Sequence, residues 1–481
     1  MPDRGTDMTA HATVLQRRDA VATGLTPIVR IADDDVRWTI DERLAHYGCP
    51  ATSVAVIRDG EIDWVDGWGR LDADAGGTCG PDTIFMVASC SKPVTAMLVL
   101  QQVARGVVDL DTDVNTYLRR WQVPANEFTA SHPVTLRRCL SHTAGLTVNG
   151  WGVVPRDGRP VPTLLDMLEG RPPSKMPAVV VDKHYDGVDR YSGGGYLIAQ
   201  MVLEDVTGRT FAEIADETLF GPLGMTRSTF RHPLPDEFHA DVASGHGDDG
   251  RPAAGGWMLS GEAAAGGLFS TARDYARFLI GARASVLGQP GAVLPRGTAQ
   301  LIADRHDRGA FSLGARVIGD GATKRLSHGG SNDGYQTESA IYLDSGDGGV
   351  VFTNATSGLF LFREVFNSIA LEYDWQHFLP APKRLRQLTS ADRQRYVGNY
   401  RIVAGIELPL IRVWEQDDRL WNEVPGLRFG VQEVYCDDQG VLFNQTGPFE
   451  TTVTFGDDGR ASELVVLEGG AQVLRAVRVP D

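Results

Sequence analysis

The segment MVASCSKPVTA, residues 86–96, contains side chains that could perform nucleophilic chemistry. Ser89 stands three positions before Lys92, and the apolar run MLVLQQV that follows predicts a buried helix. Residues three apart lie on one face of a helix, so the hydroxyl and the amine would be neighbours. Pro93 is tolerated because it falls in the first turn, where its missing N–H is not needed. Only five of the 46 basic residues are lysines, so Lys92 needs an explanation.

A buried amine beside a serine hydroxyl can act as a general base. Burial disfavours an ammonium ion, and a neutral Lys92 could take the proton of Ser89 and activate its oxygen as a nucleophile. The helix N-terminus adds partial positive charge and a backbone N–H where an oxyanion would form. The alternative is a serine that caps the helix and a lysine that extends to solvent. Cys90 points about 100° away from Ser89 and is predicted to be a packing residue.

Two later stretches supply further candidates. In RYSGGGYLIAQMVLEDVTG, Tyr191 stands at the start of a predicted helix, where a phenol could relay a proton. In RLSHGGSNDGYQTES, His328, Gly329, Gly330 and Ser331 stand immediately before a predicted strand. The glycines would let the backbone approach a substrate, as an edge strand that binds a peptide requires. Each stretch alone is typical of a turn or a loop, but the three motifs in this order favour catalysis.

Three other polar residues carry weaker signals. His142 in SHTAG and His246 in SGHGDDG are predicted to be structural. Glu262 in GEAAAGG could approach the site, and the sequence assigns it no role.

The surrounding elements predict a mixed α/β (α+β) domain. Strand patterns occur at residues 52–57, 61–68, 310–317, 337–343 and 350–353. The first two would form a hairpin, and residues 361–378 predict a closing amphipathic helix. We therefore predict an antiparallel sheet flanked by helices over residues 31–380, with an all-helical insertion at roughly 100–310.

The two ends of the chain differ from this domain. Residues 1–30 are predicted to be a polar, weakly ordered leader, and residues 381–391 a Pro-rich, basic linker. Residues 392–481 contain short alternating runs such as TTVTFG and ELVVLE, separated by DD and DG turns. This pattern predicts a small all-β barrel.

Composition excludes some classes of function. The chain of 481 residues is 42% hydrophobic and 22% charged, as globular proteins are. Its net charge of -16 argues against nucleic acid or an anionic membrane as a partner. The start lacks a secretory pattern, and no apolar run reaches the ~18 residues needed to cross a bilayer. The five cysteines lack metal-type spacing, so a cytoplasmic location is expected.

The same stretches resemble a known family. PDTIFMVASCSKPVTA, LRRCLSHTAGLT, YSGGGYLIAQMVLEDVTG and HGGSNDGY are similar to segments of the serine β-lactamase and penicillin-binding-protein superfamily, most of all its class C, D-aminopeptidase and esterase branch. The resemblance runs from about residue 33 to 378. It implies that Ser89 is the acylated nucleophile, Lys92 its general base and Tyr191 the residue that passes protons to the leaving group. It implies no metal or organic cofactor.

The resemblance also implies a third motif and an oxyanion hole. His328 and Gly330 would occupy the motif that is often K-T-G, and H-x-G in the peptidase and esterase branch. The backbone N–H groups of Ser89 and Ser331 would bind the oxyanion, with Gly329 beside the substrate.

Two positions depart from the usual family pattern. The common Y-x-N motif is here Tyr191, Ser192 and Gly193, which removes an amide that grips the acyl-side carbonyl of penicillin-like substrates. Gly193 therefore predicts a roomier substrate site. His328 in place of lysine weakens any fixed positive charge for a substrate carboxylate, although an imidazole can still donate a hydrogen bond. These departures favour a bulky peptide, ester or thioester over a β-lactam.

The C-terminal segment narrows the expected function. Residues 392–481 resemble a lipocalin-like barrel, and the whole layout is similar to penicillin-binding-protein-type thioesterases, which release and cyclise nonribosomal peptides with a D-residue at the acylated end. We therefore expect a peptide-like small-molecule substrate and an acyl-carrier domain as partner. The alternatives are a D-stereospecific aminopeptidase or amidase, a carboxylesterase, and a sensor that is acylated without turnover.

Overall fold

The computed structural model describes residues 4–375, 378–406, 408–426 and 430–479. Contacts divide the chain into two units. The first unit consists of the chain up to Arg18 and of Leu44–Phe362. The second unit consists of Asp19–Arg43 and of the chain from Arg363 onward. The boundaries predicted at 30/31 and 380/381 stay predictions. Some predicted segments fall partly outside the described residues: 1–3 of the leader, 376–377 of the closing helix, and 407, 427–429 and 480–481 of the barrel segment.

The first unit is built on a seven-stranded antiparallel sheet. Its strands are β1 (Ala51–Arg58), β2 (Glu61–Asp72), β3 (Gly76–Thr78), β6 (Arg316–Ile318), β7 (Arg325–Asn332), β8 (Tyr335–Tyr342) and β9 (Gly348–Thr353). The strand order is β3-β2-β1-β9-β8-β7-β6, and β4 (Phe85–Met86) pairs separately with β5 (Phe269–Ser270). The two ends of the unit thus meet at the pairing of β1 with β9.

Helices fill the chain before, between and after these strands. They are α1 (Arg4–Thr23), α2 (Ile40–Tyr47), α3 (Ser91–Ala104), α4 (Leu136–Leu140), α5 (Leu164–Glu169), α6 (Gly193–Thr207), α7 (Phe211–Ala215), α8 (Gly221–Leu223), α9 (Ala263–Gly266), α10 (Ala272–Leu287), α11 (Arg296–Ala303), α12 (Gly358–Glu372) and α13 (Ser390–Tyr396). Short 3₁₀ turns lie at Ala88–Cys90, Val114–Thr116, Asp236–Phe238 and Gly321–Thr323, and a π-helical turn at Asp216–Phe220. No described helix is long and apolar enough to span a bilayer.

The sheet follows from its sequence pattern. Strand β1, ATSVAVIR, is buried at seven of its eight positions because it lies between β2 and β9 and helix α10 packs against it. Successive side chains of a strand point to opposite faces, so seven consecutive buried positions mean that both faces of β1 are covered. Helix α10 begins where the Thr271 hydroxyl accepts the N–H of Asp274 and ends at Gly288 in the left-handed conformation.

One edge of strand β7 is unpaired among the described residues where the strand contains the predicted third motif, His328 to Gly330. Strand β6 pairs only with the first part of β7, Arg325–Ser327, while β8 pairs along its full length. Among the described residues, no strand pairs with the outer edge of residues 328–332. An unpaired edge leaves backbone N–H and C=O groups free for a ligand.

Two predicted elements differ from the structure. His328, Gly329, Gly330 and Ser331 lie inside strand β7 instead of before a strand, because β8 supplies their cross-strand partners. Of the strand predicted at 310–317, only its end belongs to β6. A tight turn in which the Ser312 N–H donates to the Ala315 carbonyl interrupts the rest.

The predicted polar leader contains helix α1. Its Arg17 guanidinium donates to both carboxylate oxygens of Asp63 on β2 at 2.7–3.0 Å, and Arg18 pairs with Asp66 at 3.0 Å. These ion pairs hold the later part of α1 against β2, and a polar segment read alone does not reveal such long-range contacts. The weak order expected of the leader stays a prediction.

The second unit carries a closed eight-stranded barrel among the described residues. Its strands are β10 (Gly398–Ala404), β11 (Leu410–Gln416), β12 (Arg419–Glu423), β13 (Gln432–Cys436), β14 (Leu442–Phe443), β15 (Phe449–Phe455), β16 (Ala461–Glu468) and β17 (Ala471–Arg478). Tyr400, Ile411, Leu420, Leu464 and Ala476 belong to its buried core. The predicted α/β sheet domain with a helical insertion and a C-terminal all-β barrel is therefore confirmed.

Candidate active site

Ser89 and Lys92 meet at the start of helix α3. Ser89 lies in the 3₁₀ turn Ala88–Cys90, and Lys92 is the second residue of α3, so the serine precedes the α-helix rather than opening it. The Lys92 Nζ lies 3.0 Å from the Ser89 Oγ and donates to the Ala265 carbonyl at 2.7 Å. Lys92 is only 2% exposed. The predicted pairing of a hydroxyl with a buried amine is thus present in the structure.

The residue before the serine has an unusual backbone conformation. Ala88 has a φ of +48°, in the left-handed region that residues with a Cβ rarely adopt. The Tyr275 hydroxyl holds the turn by donating to the Cys90 carbonyl at 2.8 Å. Cys90 is fully buried and burial raises the pKa of its thiol to about 12, which fits its predicted role in packing.

Tyr191 forms one wall around the Lys92 amine. The Lys92 Nζ lies 4.8 Å from the centre of the Tyr191 ring, within the range of a cation–π contact. The Tyr191 ring also stacks on His142, with ring centres 4.3 Å apart and planes at 30°. Phe311 packs against both of these rings, at 5.7 Å from Tyr191 and 4.8 Å from His142.

The contacts of His142 fix its tautomer. The backbone N–H of Ser192 donates to His142 Nδ1 at 3.1 Å, so Nδ1 is an acceptor and a neutral ring carries its proton on Nε2. Burial, and next the charge of Lys92, hold the pKa of His142 well below its usual range. His142 is thus a neutral support for Tyr191, and it joins the second motif to the segment SHTAG.

His328 is also neutral, with the opposite tautomer. Its Nδ1 donates to the Gly329 carbonyl at 2.6 Å, which leaves Nε2 as a buried acceptor that has no partner among the described residues. Burial, and next the charge of Lys92, lower the pKa of His328 to about 3. The hydrogen bond that His328 was expected to offer a ligand is therefore given to the backbone instead. The third motif supplies no positive charge from this residue.

Gly330 brings strand β7 against the Ser89 turn. A Cβ at Gly330 would lie 2.3 Å from the Val87 carbonyl oxygen and 2.9 Å from the Ser89 backbone nitrogen. Thr337 on β8 fixes the same contact, because its hydroxyl donates to the Val87 carbonyl at 3.0 Å. Only glycine allows this approach. By contrast, a Cβ at Gly329 would face the Glu338 carboxylate at 2.9 Å.

A cavity of about 210 Å³ opens at this junction. Ser89, Lys92 and Ser331 line it, and the Gln336 amide donates to the Ser331 hydroxyl at 2.9 Å. The structure therefore brings together three of the predicted site residues at one cavity. The Tyr191 ring contacts the Lys92 amine, and the His328 ring centre lies 6.3 Å from that of Tyr191.

Gly193 does not enlarge the cavity. Its N–H donates to the Asn149 carbonyl at 2.8 Å, and a Cβ at Gly193 would lie 2.7 Å from that oxygen. The backbone of Asn149 and Gly150 fills the space, so the structure lacks the extra room expected at Gly193. Asn149 itself lines the cavity, a position that sequence reasoning missed.

Glu262 is the second residue that sequence reasoning left without a role. It lines the same cavity, and its carboxylate accepts the backbone N–H groups of Trp151 and Gly152, each at 3.2 Å. Burial raises the pKa of Glu262 to about 7, although Lys92 acts in the opposite direction. The sequence contained a signal that could have placed Glu262 at the site. Glu262 directly precedes the AAAGG segment, and the Ala265 carbonyl of that segment accepts a hydrogen bond from Lys92.

Residues 36–373 match the β-lactamase family, and the chain belongs to it. The chain is 30% identical to penicillin-binding protein 4 of Amycolatopsis lactamdurans over 51% of this chain and 63% of that protein. It is 29% identical to esterase EstB of Burkholderia gladioli, over 58% of this chain and 75% of the esterase. It is 26% identical to the D-aminopeptidase of Gluconobacter oxydans strain 621H, over 49% of this chain and 43% of that protein.

The same architecture occurs in solved structures. SurE with D-Leu superposes with a TM-score of 0.55 at 20% identity, over 92% of this chain and 97% of that one. This likeness shows the shared fold. The matched region covers less than two thirds of the penicillin-binding protein and of the D-aminopeptidase. Residues 36–373 thus form a domain of the β-lactamase family, as the motifs predicted.

Proposed function

We propose that the protein is a serine hydrolase and acyltransferase that acts on peptide-like thioesters, esters or amides through an acyl-enzyme. The observation that carries this proposal is the 3.0 Å contact between the Lys92 Nζ and the Ser89 Oγ at the wall of a cavity. A hydroxyl and an amine at this distance can exchange a proton directly.

The proposed reaction has two halves. Lys92 takes the proton of Ser89 while the Ser89 oxygen attacks the substrate carbonyl carbon, and the carbonyl oxygen becomes an oxyanion held by the backbone N–H groups of Ser89 and Ser331. The carbonyl bond re-forms, and the leaving thiol, alcohol or amine departs with a proton passed through Tyr191. Water or an amine then attacks the acyl-enzyme, loses its proton along the same path and releases Ser89.

Two neutral imidazoles would support this proton path. His142 holds the Tyr191 ring by stacking, and His328 packs on the same cluster without adding charge. A site without a cation at position 328 offers little attraction to the carboxylate of a penicillin. This supports a substrate whose acylated end is a peptide rather than a β-lactam.

Within this class, we propose the release and cyclisation of nonribosomal peptides as the preferred role. An acyl-carrier domain would deliver the thioester, a D-residue would occupy the acylated end, and the reaction would take place in the cytoplasm. The layout of a catalytic domain followed by a lipocalin-like barrel supports this role. D-stereospecific peptide or amide hydrolysis is the second candidate, and the 26% identity to a D-aminopeptidase favours it.

A panel of linear peptidyl thioesters that differ in the chirality of the acylated residue tests the proposal. A product with the mass of the free peptide minus water, formed from D-ended thioesters, is the expected result and demonstrates cyclisation. Products with the mass of the free peptide would support the hydrolase instead. A permanent adduct without product would support the sensor.

Variants of the Ser89–Lys92 pair test the chemistry itself. Ser89→Ala should abolish the covalent adduct, and Lys92→Ala should slow acylation by about 10²–10⁴-fold because the general base is lost. Lys324→Ala is the matched control, since Lys324 pairs with Asp304 at the surface at 3.2 Å. Intact-mass spectrometry follows the adduct. Labelling that persists in Ser89→Ala would identify a different nucleophile.

A further inference from the structure

We propose that Glu262 binds an amine of the substrate in the cavity beside Ser89. The inference rests on the proposed acyl-enzyme function and adds a recognition element to the same site. Glu262 is 5% exposed and lines the cavity together with Ser89 and Lys92, so any group it binds lies next to the reacting carbonyl.

The Glu262 carboxylate has spare acceptor capacity. A carboxylate offers about four acceptor positions, and here each oxygen accepts one backbone N–H, from Trp151 or Gly152. Two cavity-lining glycines flank it. A Cβ at Gly150 would lie 3.5 Å from Oε2, and one at Gly266 would lie 3.4 Å from Oε1. The absence of side chains at both positions leaves the oxygens accessible from the cavity.

The charges around the cavity favour a cation over an anion as ligand. Lys92 is directed to the Ser89 hydroxyl and the Ala265 carbonyl, while Glu262 and the exposed Asp333 both line the cavity. A buried carboxylate is costly unless a positive partner and hydrogen bonds compensate it. Burial raises the pKa of Glu262, although Lys92 and the N–H groups of Trp151 and Gly152 act in the opposite direction. An ammonium group would supply what is missing.

The amine has two possible sources in the proposed reaction. It is either the free α-amino group of the residue that acylates Ser89, or the acceptor amine that later collects the acyl group. An acceptor bound as an ammonium ion first gives one proton to the Glu262 carboxylate, and the neutral amine then attacks the acyl carbon. The competing explanation is a purely structural one, in which Glu262 only braces the loop at Trp151 and Gly152.

Glu262→Gln distinguishes these explanations. One arm compares kcat/KM for the N-acetylcysteamine thioesters of D-phenylalanine and of 3-phenylpropionic acid, which lacks the amino group. The other arm measures how the acyl-enzyme partitions between water and added glycinamide. A ten- to hundred-fold loss confined to the amino-bearing thioester assigns the α-amine, because a charge-assisted hydrogen bond is lost. A similar fall in the ratio of amide to acid product assigns the acceptor amine.

If kcat/KM fell equally for both thioesters and the partition ratio did not change, the inference would be overturned. Glu262 would then have only the structural role of holding the loop at Trp151 and Gly152. Asp333→Asn is the charge-matched control, and its effect should be smaller because an exposed charge is screened. Inhibition of the wild-type protein by benzylamine and by benzyl alcohol gives a test without a variant, and equal inhibition would also count against the inference. Turnover that survives in Ser89→Ala would instead remove the proposed function.

Discussion

The two β structures of this chain differ in whether their strands have a free edge. In the first unit, the outer side of β7 lacks a strand partner over residues 328–332 among the described residues, and this edge adjoins the Ser89 turn. In the second unit, β10 pairs with both β11 and β17, so the barrel closes on itself. A closed barrel satisfies its own backbone groups, whereas an open edge can accept an extended ligand.

This difference explains where chemistry can be located. At the open edge, Gly330, Ser331 and the nucleophile turn place backbone and side-chain groups around one cavity. In the barrel, the Arg478 guanidinium donates to the Tyr400 hydroxyl, so these two polar groups satisfy each other rather than a ligand.

The largest expected effect follows from a methyl group at the edge. Gly330→Ala places a Cβ 2.3 Å from the Val87 carbonyl oxygen and 2.4 Å from the Thr337 hydroxyl, so β7 must move away from Ser89. We expect acylation to slow about 100-fold, since a displacement near 1 Å at a reacting centre has that effect. Stopped-flow measurement of adduct formation checks it.

Gly80→Ala is the control for this change. Apart from Gly80 and its two chain neighbours, no atom of the described residues lies within 4 Å of the position its Cβ would take, so acylation should be unchanged. Wild-type acylation in Gly330→Ala would show that the close approach of β7 is unimportant.

The next effect concerns pH. The pKa of His328 is about 3 in the folded protein against 6.5 in an unfolded chain, so the unfolded chain takes up a proton first as the pH falls. This group therefore weakens folding below pH 6.5 and contributes nothing at pH 7.5. At pH 5 the loss is about 2 kcal/mol in the free energy of unfolding, which His328→Gln should not show.

Urea unfolding at pH 7.5 and pH 5 measures this difference. His132→Gln, which changes an exposed histidine of the same unit, should retain the wild-type pH dependence. A His328→Gln variant with the same loss as the wild type would mean that the imidazole is not held neutral.

The smallest effect is expected in the barrel. The Tyr400 hydroxyl donates to the Tyr396 carbonyl at 2.5 Å and accepts the Arg478 guanidinium at 2.8 Å. Tyr400→Phe should reduce the free energy of unfolding of the barrel by about 1–2 kcal/mol, because a buried pair of hydrogen bonds is lost. Ser462→Ala, which removes an exposed hydroxyl from the same barrel, should change it by less than about 0.5 kcal/mol. Hydrogen exchange of barrel amides separates the two outcomes.

Local spacing made part of the site predictable. The three-residue separation of Ser89 and Lys92 and the apolar run behind them encode a contact within one helical turn, and the structure has it at 3.0 Å. The alternating runs after residue 392 likewise encode strands whose partners are mostly the next strand along the chain.

Contacts between distant segments were not predictable in the same way. Two glycines beside His328 resembled a loop, because the strand that pairs with them is recognised only in three dimensions. The room expected at Gly193 is filled by backbone from the Asn149 loop, and Glu262 reaches the cavity from a third segment. No spacing rule connects these positions, since loops rather than one periodic element bring them together.

The left-handed Ala88 has a consequence for engineering. An alanine in this conformation costs roughly 1 kcal/mol relative to glycine, and it directly precedes the residue whose orientation matters most. The conformation of Ala88 therefore lowers the stability of the fold while it orients the Ser89 nucleophile. A change that removes this backbone strain would stabilise the protein, but it would also loosen the turn that orients the Ser89 hydroxyl.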